Sequence, residues 1–512
     1  MATKRFQGAG SSQIPGDDRR SRGREWAVLA ALMVAYSTLY AVYYPPLPGI
    51  EDEVGFVNQA LVWSHGAVSA EGAGWSELAD FVPVAGRHVA ARHPGRSLAA
   101  LPFLVMGGVR ATFVSGLLLH LAMTAIAALL LTRLGRSPLW AVLLLLHPTL
   151  AIYSRTIMAD ATAGTGLLLA GLALTSASPI AGVWAGLAVG LAASMRYHAA
   201  LALPIVAVAF LLPGGRPRAW RDALLCMIAG GFAGALLVGY NLVVYHAPTE
   251  PFTGSRGYFS TSFFIPHALY YVTALMTLWP AMLLAPWLDR SPLRWLVRGV
   301  CGLFLGFLTF YYFHDRAPNW LGTVVVGQRL LQVALPLWIV SYAGVLDDRV
   351  VGPLRRWLGD RVGLVLASLA CVGLLGATAL MFDRHQRHLN ELLEARNALI
   401  ATIPEGSLIL YDGALLKLVG IPVGIPSYRL RQLTYLDQPA EDPRQFFADL
   451  DREGSRWYLV VLHKLPGGPT TEFARNVIDR YELKRMPEQS PLLSVYTLPQ
   501  SAPKLSSAPQ TP

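Results

Sequence analysis

Three consecutive carboxylates, Glu51-Asp52-Glu53 in the stretch GIEDEVGF, follow closely on an apolar run that ends in YYPPLPG. An ionised carboxylate held at a membrane surface can take the proton of a hydroxyl and so serve as a general base. The same three acids also suit a plainer role, a solvated turn whose last member favours a helix N-terminus through the macrodipole. Asp160, in YSRTIMADATAG, stands at another polar turn between apolar runs, where it suits either chemistry or the cap of the next helix. Cations and histidines gather at further turns: His93 and Arg96 in RHPGR, then Arg196-Tyr197-His198, His267, Arg316 in HDR, and Arg329 after Gln328. Singly, each reads as an anchor or snorkelling side chain at a span end. Together they would line a cleft for a phosphate ester, because guanidinium forks match phosphate oxygens. Glu51 or Glu53 with a histidine would be the ligands of a divalent cation, but no spacing here approaches a metal motif, so no metal site is assigned.

Such residues need elements to position them, and the composition says what kind. Of 512 residues 54% are hydrophobic and only 14% charged, with mean hydropathy +0.42, which makes the chain an integral membrane protein. The net charge of +10 comes from small basic groups between apolar runs, an arrangement that marks topology and argues against a nucleic-acid partner. Cys226, Cys301 and Cys371 fall inside apolar runs without a CxxC spacing, so neither a disulfide framework nor a zinc site is indicated.

Apolar runs long enough to cross, or nearly so, lie at about 26–44, 111–132, 138–153, 161–177, 179–195, 198–213, 223–245, 268–288, 298–313, 328–346 and 362–382. About eleven transmembrane helices are therefore expected, in a polytopic α-helical fold. With residues 1–25 taken as a disordered cytoplasmic leader, every arginine cluster falls on one side, as the positive-inside rule requires. The acids and single arginines named above then share the other side. The first loop on that side, 45–96, is too long for a simple connector, and Glu53 to Trp63 reads within it as an amphipathic helix lying in the interface. Ser97 to Gly108 is too short to span and contains Pro102, so it is expected to be interfacial or re-entrant.

After 382 the composition changes. Residues 383–498 alternate predicted helices (383–401, near 443–452, near 471–481) with predicted strands (408–411, 457–462, near 483 and 492–498), which implies a small α/β domain outside the membrane. Residues 499–512 are Pro/Ser-rich and expected to be disordered.

In order along the chain, PGIEDEVGFVNQALVWSHG, ARHPGRSLAALPFLVMGG, YSRTIMADATAGTGLLLAGLAL, GLAVGLAASMRYHAALALPIV and GQRLLQVALPLWIV resemble the GT-C membrane glycosyltransferases. In particular, they resemble the branch with protein O-mannosyltransferases, lipid A aminoarabinose transferases and rhizobial galacturonosyltransferases. The resemblance covers about residues 26–346. It implies an inverting transfer of sugar from a polyprenyl-phosphate donor to a hydroxyl of a lipid, polysaccharide or protein acceptor at the outer face of the cytoplasmic membrane. The C-terminal domain would then be periplasmic. It also implies a catalytic acid at Asp52, with Glu53 beside it and Asp160 in the second outer loop. Arg196 and Arg329, with Arg96 and Arg316, would bind the donor phosphate, and Glu51, His93, Tyr197, His198 and His267 would contact substrate. The extra acid Glu51 lets the register of the pair slip by one.

Two other classes compete. A transporter or flippase of lipid-linked saccharides would place ionisable groups in mid-span, where His120 and His147 are the main candidates. A non-catalytic scaffold would need far fewer spans.

Overall fold

Apolar helices that end at proline, glycine or charge account for most of the chain. The structure is a computed structural model that describes residues 16–70, 81–212, 218–248, 259–311, 320–353, 360–412, 415–421, 428–435, 438–439, 442–453, 457–463, 471–487 and 490–498. Arg316, residues 1–15 of the expected leader and the tail 499–512 lie outside the described residues.

Helices of seven residues or more are α1 (Gly16–Val42), α2 (Glu51–Ser64), α3 (Pro94–Arg133), α4 (Pro148–Ser154), α5 (Asp160–Leu174), α6 (Ala181–Met195), α7 (Ala202–Leu211), α8 (Ala219–Tyr245), α9 (Phe264–Thr277), α10 (Arg294–Thr309), α11 (Trp320–Val326), α12 (Leu335–Leu346), α13 (Asp360–Thr402), α14 (Pro443–Glu453) and α15 (Glu472–Arg480). Among the described residues, Arg22–Val42, α3 and α8 are long and apolar enough to cross a membrane; a bent pair, Thr261–Thr277 with Met282–Leu288 at 105°, makes a fourth if counted as one span. Helix α8 leaves Leu224, Ile228, Phe232, Leu236 and Val243 exposed, a face suited to hydrocarbon.

Several expectations are corrected. The run 138–153 is not one span: Pro138 opens a short 3₁₀ turn, and Pro148 starts α4 afresh after a break at Leu146-His147. Ser97–Gly108 is helical rather than an irregular loop. It forms the first turns of the 40-residue α3, which bends at Gly107-Gly108, where Gly108 takes φ 71° and the chain then continues as helix. The first helix begins at Gly16, well before Trp26. The span expected at 362–382 and the helix at 383–401 are one unbroken rod, α13.

The C-terminal part forms a five-stranded sheet from β3 (Leu408–Asp412), β4 (Arg429–Gln432), β5 (Trp457–Leu462), β6 (Lys484–Arg485) and β7 (Leu493–Thr497), in the order β4-β3-β5-β7-β6. Strand β3 runs parallel to β4 and β5, while β7 is antiparallel to β5 and β6. An earlier hairpin, β1 (Phe81–Val84) and β2 (Arg87–Ala90), leads into α3. Side chains alternate across the large sheet. Leu408, Leu410, Leu459 and Val461 pack on Phe446 and Leu450 of α14 and Phe473 and Val477 of α15. Ile409, Tyr411, Val460 and Val495 face Leu392 and Leu399 of α13, together with Val54 of α2.

Helix α2 is thus a shared wall. Phe56 and Val57 enter the core of the helical bundle, and Val54 enters the core of the sheet domain. The expectation of an amphipathic helix with one open face is corrected: every residue from Glu53 to Ala60 is buried, because the sheet domain takes Val54 and Asn58 while the bundle takes Phe56, Val57 and Gln59.

Candidate active site

The three acids that open α2 point three ways, as successive residues on a helix must. Glu51 Oε1 accepts from the backbone N–H of Leu416, in the sheet domain, at 3.3 Å. Asp52 faces arginines of the bundle. Glu53 turns inward and is filled by backbone donors: Oε1 accepts from Gly49 and Ile50, each at 3.0 Å, and Oε2 from Ile157 at 2.8 Å. Burial pushes the Glu53 carboxyl up to about 7, although the N–H groups of Ile157, Gly49 and Ile50 pull the other way.

Ile157 belongs to the loop that leads to Asp160, and a second clamp holds that loop. Arg96 is fully buried and donates through Nε to the Met158 carbonyl (3.1 Å), through Nη2 to the Thr156 carbonyl (3.3 Å) and through Nη1 to Ser115 Oγ (2.8 Å). Two close approaches make this possible. A Cβ on Gly95 would meet Ser194 Oγ at 2.5 Å, and one on Gly116 would run into the Ser154 carbonyl, so both positions need glycine to bring α3 against its neighbours. Near Arg329, Thr149 Oγ1 and Tyr153 Oη of α4 donate to the carbonyls of Val325 (2.8 Å) and Val326 (3.0 Å), fixing the end of α11.

These supports bring together residues up to 277 positions apart. Asp52 Oδ1 accepts from Arg92 Nη2 at 2.7 Å, and Oδ2 accepts from Arg329 Nη2. Arg329 Nε donates to Asp160 Oδ2 at 3.3 Å, and the same oxygen accepts from Arg196 Nη2 at 2.7 Å. Asp160 begins α5 but makes no side-chain cap there; its carboxylate is spent on arginines. Asp160 Oδ1 and Arg196 Nε have no hydrogen-bond partner among the described residues. Burial pushes the Asp52 carboxyl up, but Arg92, then Arg329 and Arg196, outweigh it and hold Asp52 well below the usual carboxylate range.

Around this cluster, His93 stacks on Tyr197 with centroids 4.3 Å apart, and Tyr197 Oη donates to Asn241 Oδ1 at 2.7 Å. The sequence reading therefore placed Asp52, Asp160, Arg196 and Arg329 on one list, and the structure brings them into one network. His198 packs against Phe304 and Phe307, and His267 stacks on Phe263. His120 Nε2 hydrogen-bonds the Leu145 carbonyl, a helix-packing contact. Among the described residues, no three His, Cys, Asp or Glu side chains come together in a group that could hold a metal ion.

Arg92 is the member that sequence reasoning left out of the site. Its backbone carbonyl accepts from Gln59 Nε2 (3.0 Å) and Tyr245 Oη (3.3 Å), and its guanidinium lies over the Phe56 ring at 5.6 Å. The available signal was its place two residues before Pro94, at the mouth of α3 rather than inside it.

No protein-family model and no curated protein matches the sequence. Solved structures do match its fold. ArnT from Cupriavidus metallidurans in the apo state aligns over 93% of this chain and 100% of its own, with TM-score 0.60 and 11% identity. The same protein bound to undecaprenyl phosphate aligns over 93% and 98%, with TM-score 0.55 and 12% identity. ArnT is a lipid A aminoarabinose transferase of the GT-C superfamily, and over nearly the full length of both chains this protein shares its fold.

Proposed function

We propose that the protein is an inverting glycosyltransferase that moves a sugar from a polyprenyl-phosphate carrier to a hydroxyl of a lipid, polysaccharide or protein acceptor at the outer face of the cytoplasmic membrane. The observation that carries this reading is a carboxylate, Asp52, set beside three arginines at the opening of a GT-C fold. Undecaprenyl phosphate bound to ArnT supports a lipid phosphate as the donor's carrier.

The chemistry needs one base and a place for one anion. Asp52 takes the proton of the acceptor hydroxyl as that oxygen bonds to the anomeric carbon. The bond from that carbon to the phosphate oxygen breaks with its electron pair on oxygen. Because the leaving phosphate is a stable anion, no general acid is required, and Arg92, Arg196 and Arg329 stabilise its growing charge. Direct displacement inverts the anomeric centre. Asp160 holds Arg196 and Arg329 in position, and the unpartnered Nε of Arg196 leaves a donor for an anion.

The test is transfer of label from polyprenyl-phosphate sugars by membranes containing the wild type or Asp52→Asn, with native lipids as acceptor. The near-isosteric variant is expected to lose about a hundredfold or more. Equal transfer by both proteins would remove Asp52 from the role of base.

A further inference from the structure

We infer that the helical bundle binds one ordered water molecule behind the loop that leads to Asp160, hydrogen-bonded to His120 of α3 and Thr165 of α5, and that this water is a structural ligand of the fold. The inference goes beyond the transferase reading and does not depend on it.

Three segments enclose the site. His120 and Met123 stand three residues apart on one face of α3, and Thr162 and Thr165 stand three apart on one face of α5. Met158, from the loop between α4 and α5, closes the third side, and Arg96, which grips that loop, lines the same cavity. The space in which the centre of a water molecule can move is about 10 Å³, room for a single water.

Two side chains point to an occupant that can both donate and accept. His120 is 3% exposed and Thr165 7%, and among the described residues His120 Nδ1 and Thr165 Oγ1 have no hydrogen-bond partner. The other ring nitrogen fixes the tautomer of the neutral imidazole. Nε2 lies 2.9 Å from the Leu145 carbonyl, which can only accept, so Nε2 carries the proton and Nδ1 is an acceptor. The Thr165 hydroxyl does not turn back to the carbonyl four residues earlier, as those of Thr124 and Thr132 in α3 do. Buried and unpaired, each atom would cost free energy. A water donates one proton to His120 Nδ1 and pairs with Thr165 Oγ1. Thr162 Oγ1 donates to the Ala159 carbonyl at 2.6 Å and keeps a lone pair for a third bond. Two to four partners are what buried waters have. With a guanidinium in the wall and no carboxylate among the lining residues, a neutral occupant is favoured over a cation. The water thus bridges α3 to the first turns of α5, the helix that Asp160 opens.

X-ray hydroxyl-radical footprinting of the full chain in lipid nanodiscs tests this, because radiolysis of a bound water oxidises the side chains that touch it where bulk solvent has no access. Met123 and Met158 line the cavity and are buried; Met282 is equally buried, lies outside that lining and serves as the control. In the wild type, Met123 and Met158 should be oxidised several-fold faster than Met282, and Thr165→Val should remove most of the excess. The same variant should melt about 1–3 °C lower, since the water loses a partner, whereas Thr165→Ser should keep the wild-type oxidation pattern. Oxidation of Met123 and Met158 at the rate of Met282 in the wild type overturns the proposal, whatever the variants do. So does a Thr165→Val protein that melts above the wild type, because a methyl in place of the hydroxyl is stabilising only where no water is bound. Neither readout involves sugar transfer, so failure here leaves the transferase reading untouched, and loss of that reading leaves the water site standing.

Discussion

Arg92 and Arg96 lie four residues apart at the mouth of one helix and face opposite worlds. Arg96, inside the first turn of α3, is sealed in the bundle and ties down two carbonyls and a hydroxyl. Arg92, just before Pro94, keeps an edge toward the outside and meets a carboxylate. Arg155 repeats the buried pattern, donating to the Phe382 carbonyl (3.1 Å), His385 Nδ1 (2.9 Å) and the Tyr43 carbonyl, and so joining α1 and α13. An arginine aimed at backbone carbonyls is a structural tie, whereas one aimed at a carboxylate also sets that group's charge.

The sharpest way to break that contrast is Arg96→Met. It leaves the Met158 and Thr156 carbonyls unpaired in a buried site, at about 1–3 kcal/mol each, so melting in detergent should fall steeply with little folded protein recovered. A variant that melts normally but fails to transfer sugar would instead make Arg96 a substrate group. Arg329→Gln comes next. Asp160 keeps Arg196, so the protein should fold, but both acids lose a shared partner and transfer should drop on the order of a hundredfold. Activity near wild type would show that Arg329 is only a tie, like Arg96.

A smaller effect separates Glu53 from its neighbour Asp52. With its folded value raised to about 7, Glu53 contributes stability that is fully present below its ordinary 4.5 and is lost as pH rises through about 7. The wild type should therefore lose on the order of 2–3 kcal/mol between pH 5 and 8 from this group, and Glu53→Gln, uncharged throughout, should flatten that slope in melting curves at pH 5, 6.5 and 8. Asp52, held low, loses its contribution only as pH falls below the ordinary carboxylate range, outside this window. An unchanged slope in the variant would assign the titration to another group. The smallest effect is expected for Glu51→Gln, which removes the charge that meets the Leu416 N–H and Lys417 but leaves an amide oxygen able to accept the same hydrogen bond. About 0.5–1.5 kcal/mol should appear as faster limited proteolysis of the sheet domain, with transfer little changed.

Much of this was legible in the sequence, for identifiable reasons. The strands at 408–412 and 457–462 and the helix at 443–453 stand within two residues of their predicted bounds, because β-branched and aromatic runs there are framed by turn residues. Asp52, Asp160, Arg196 and Arg329 were recognisable as polar residues at the ends of apolar runs. Strand β4, RLRQ, was missed because two arginines and a glutamine conceal a strand at the sheet's edge. The burial of α2 was hidden for a different reason. Asn58 and Gln59 are polar side chains in an otherwise apolar stretch, yet Asn58 Nδ2 donates to the Gly420 carbonyl 362 residues away at 2.7 Å, and Gln59 Oε1 accepts from Ser97 at 2.6 Å. No local pattern encodes such partners. The broken spans were hidden likewise, since hydropathy averages over Pro138, Pro148 and the Gly107-Gly108 bend.

Helix α13 runs for 43 residues with no break, which at 1.5 Å per residue is a rod of about 65 Å. Its first half is the apolar run 362–382, and its second half carries Leu389, Leu392 and Leu399 into the sheet domain's core. A hydrocarbon layer about 30 Å thick takes up less than half of such a rod. The remainder is rooted in the sheet domain's core, so the sheet is joined to the apolar run by continuous helix rather than by a flexible loop.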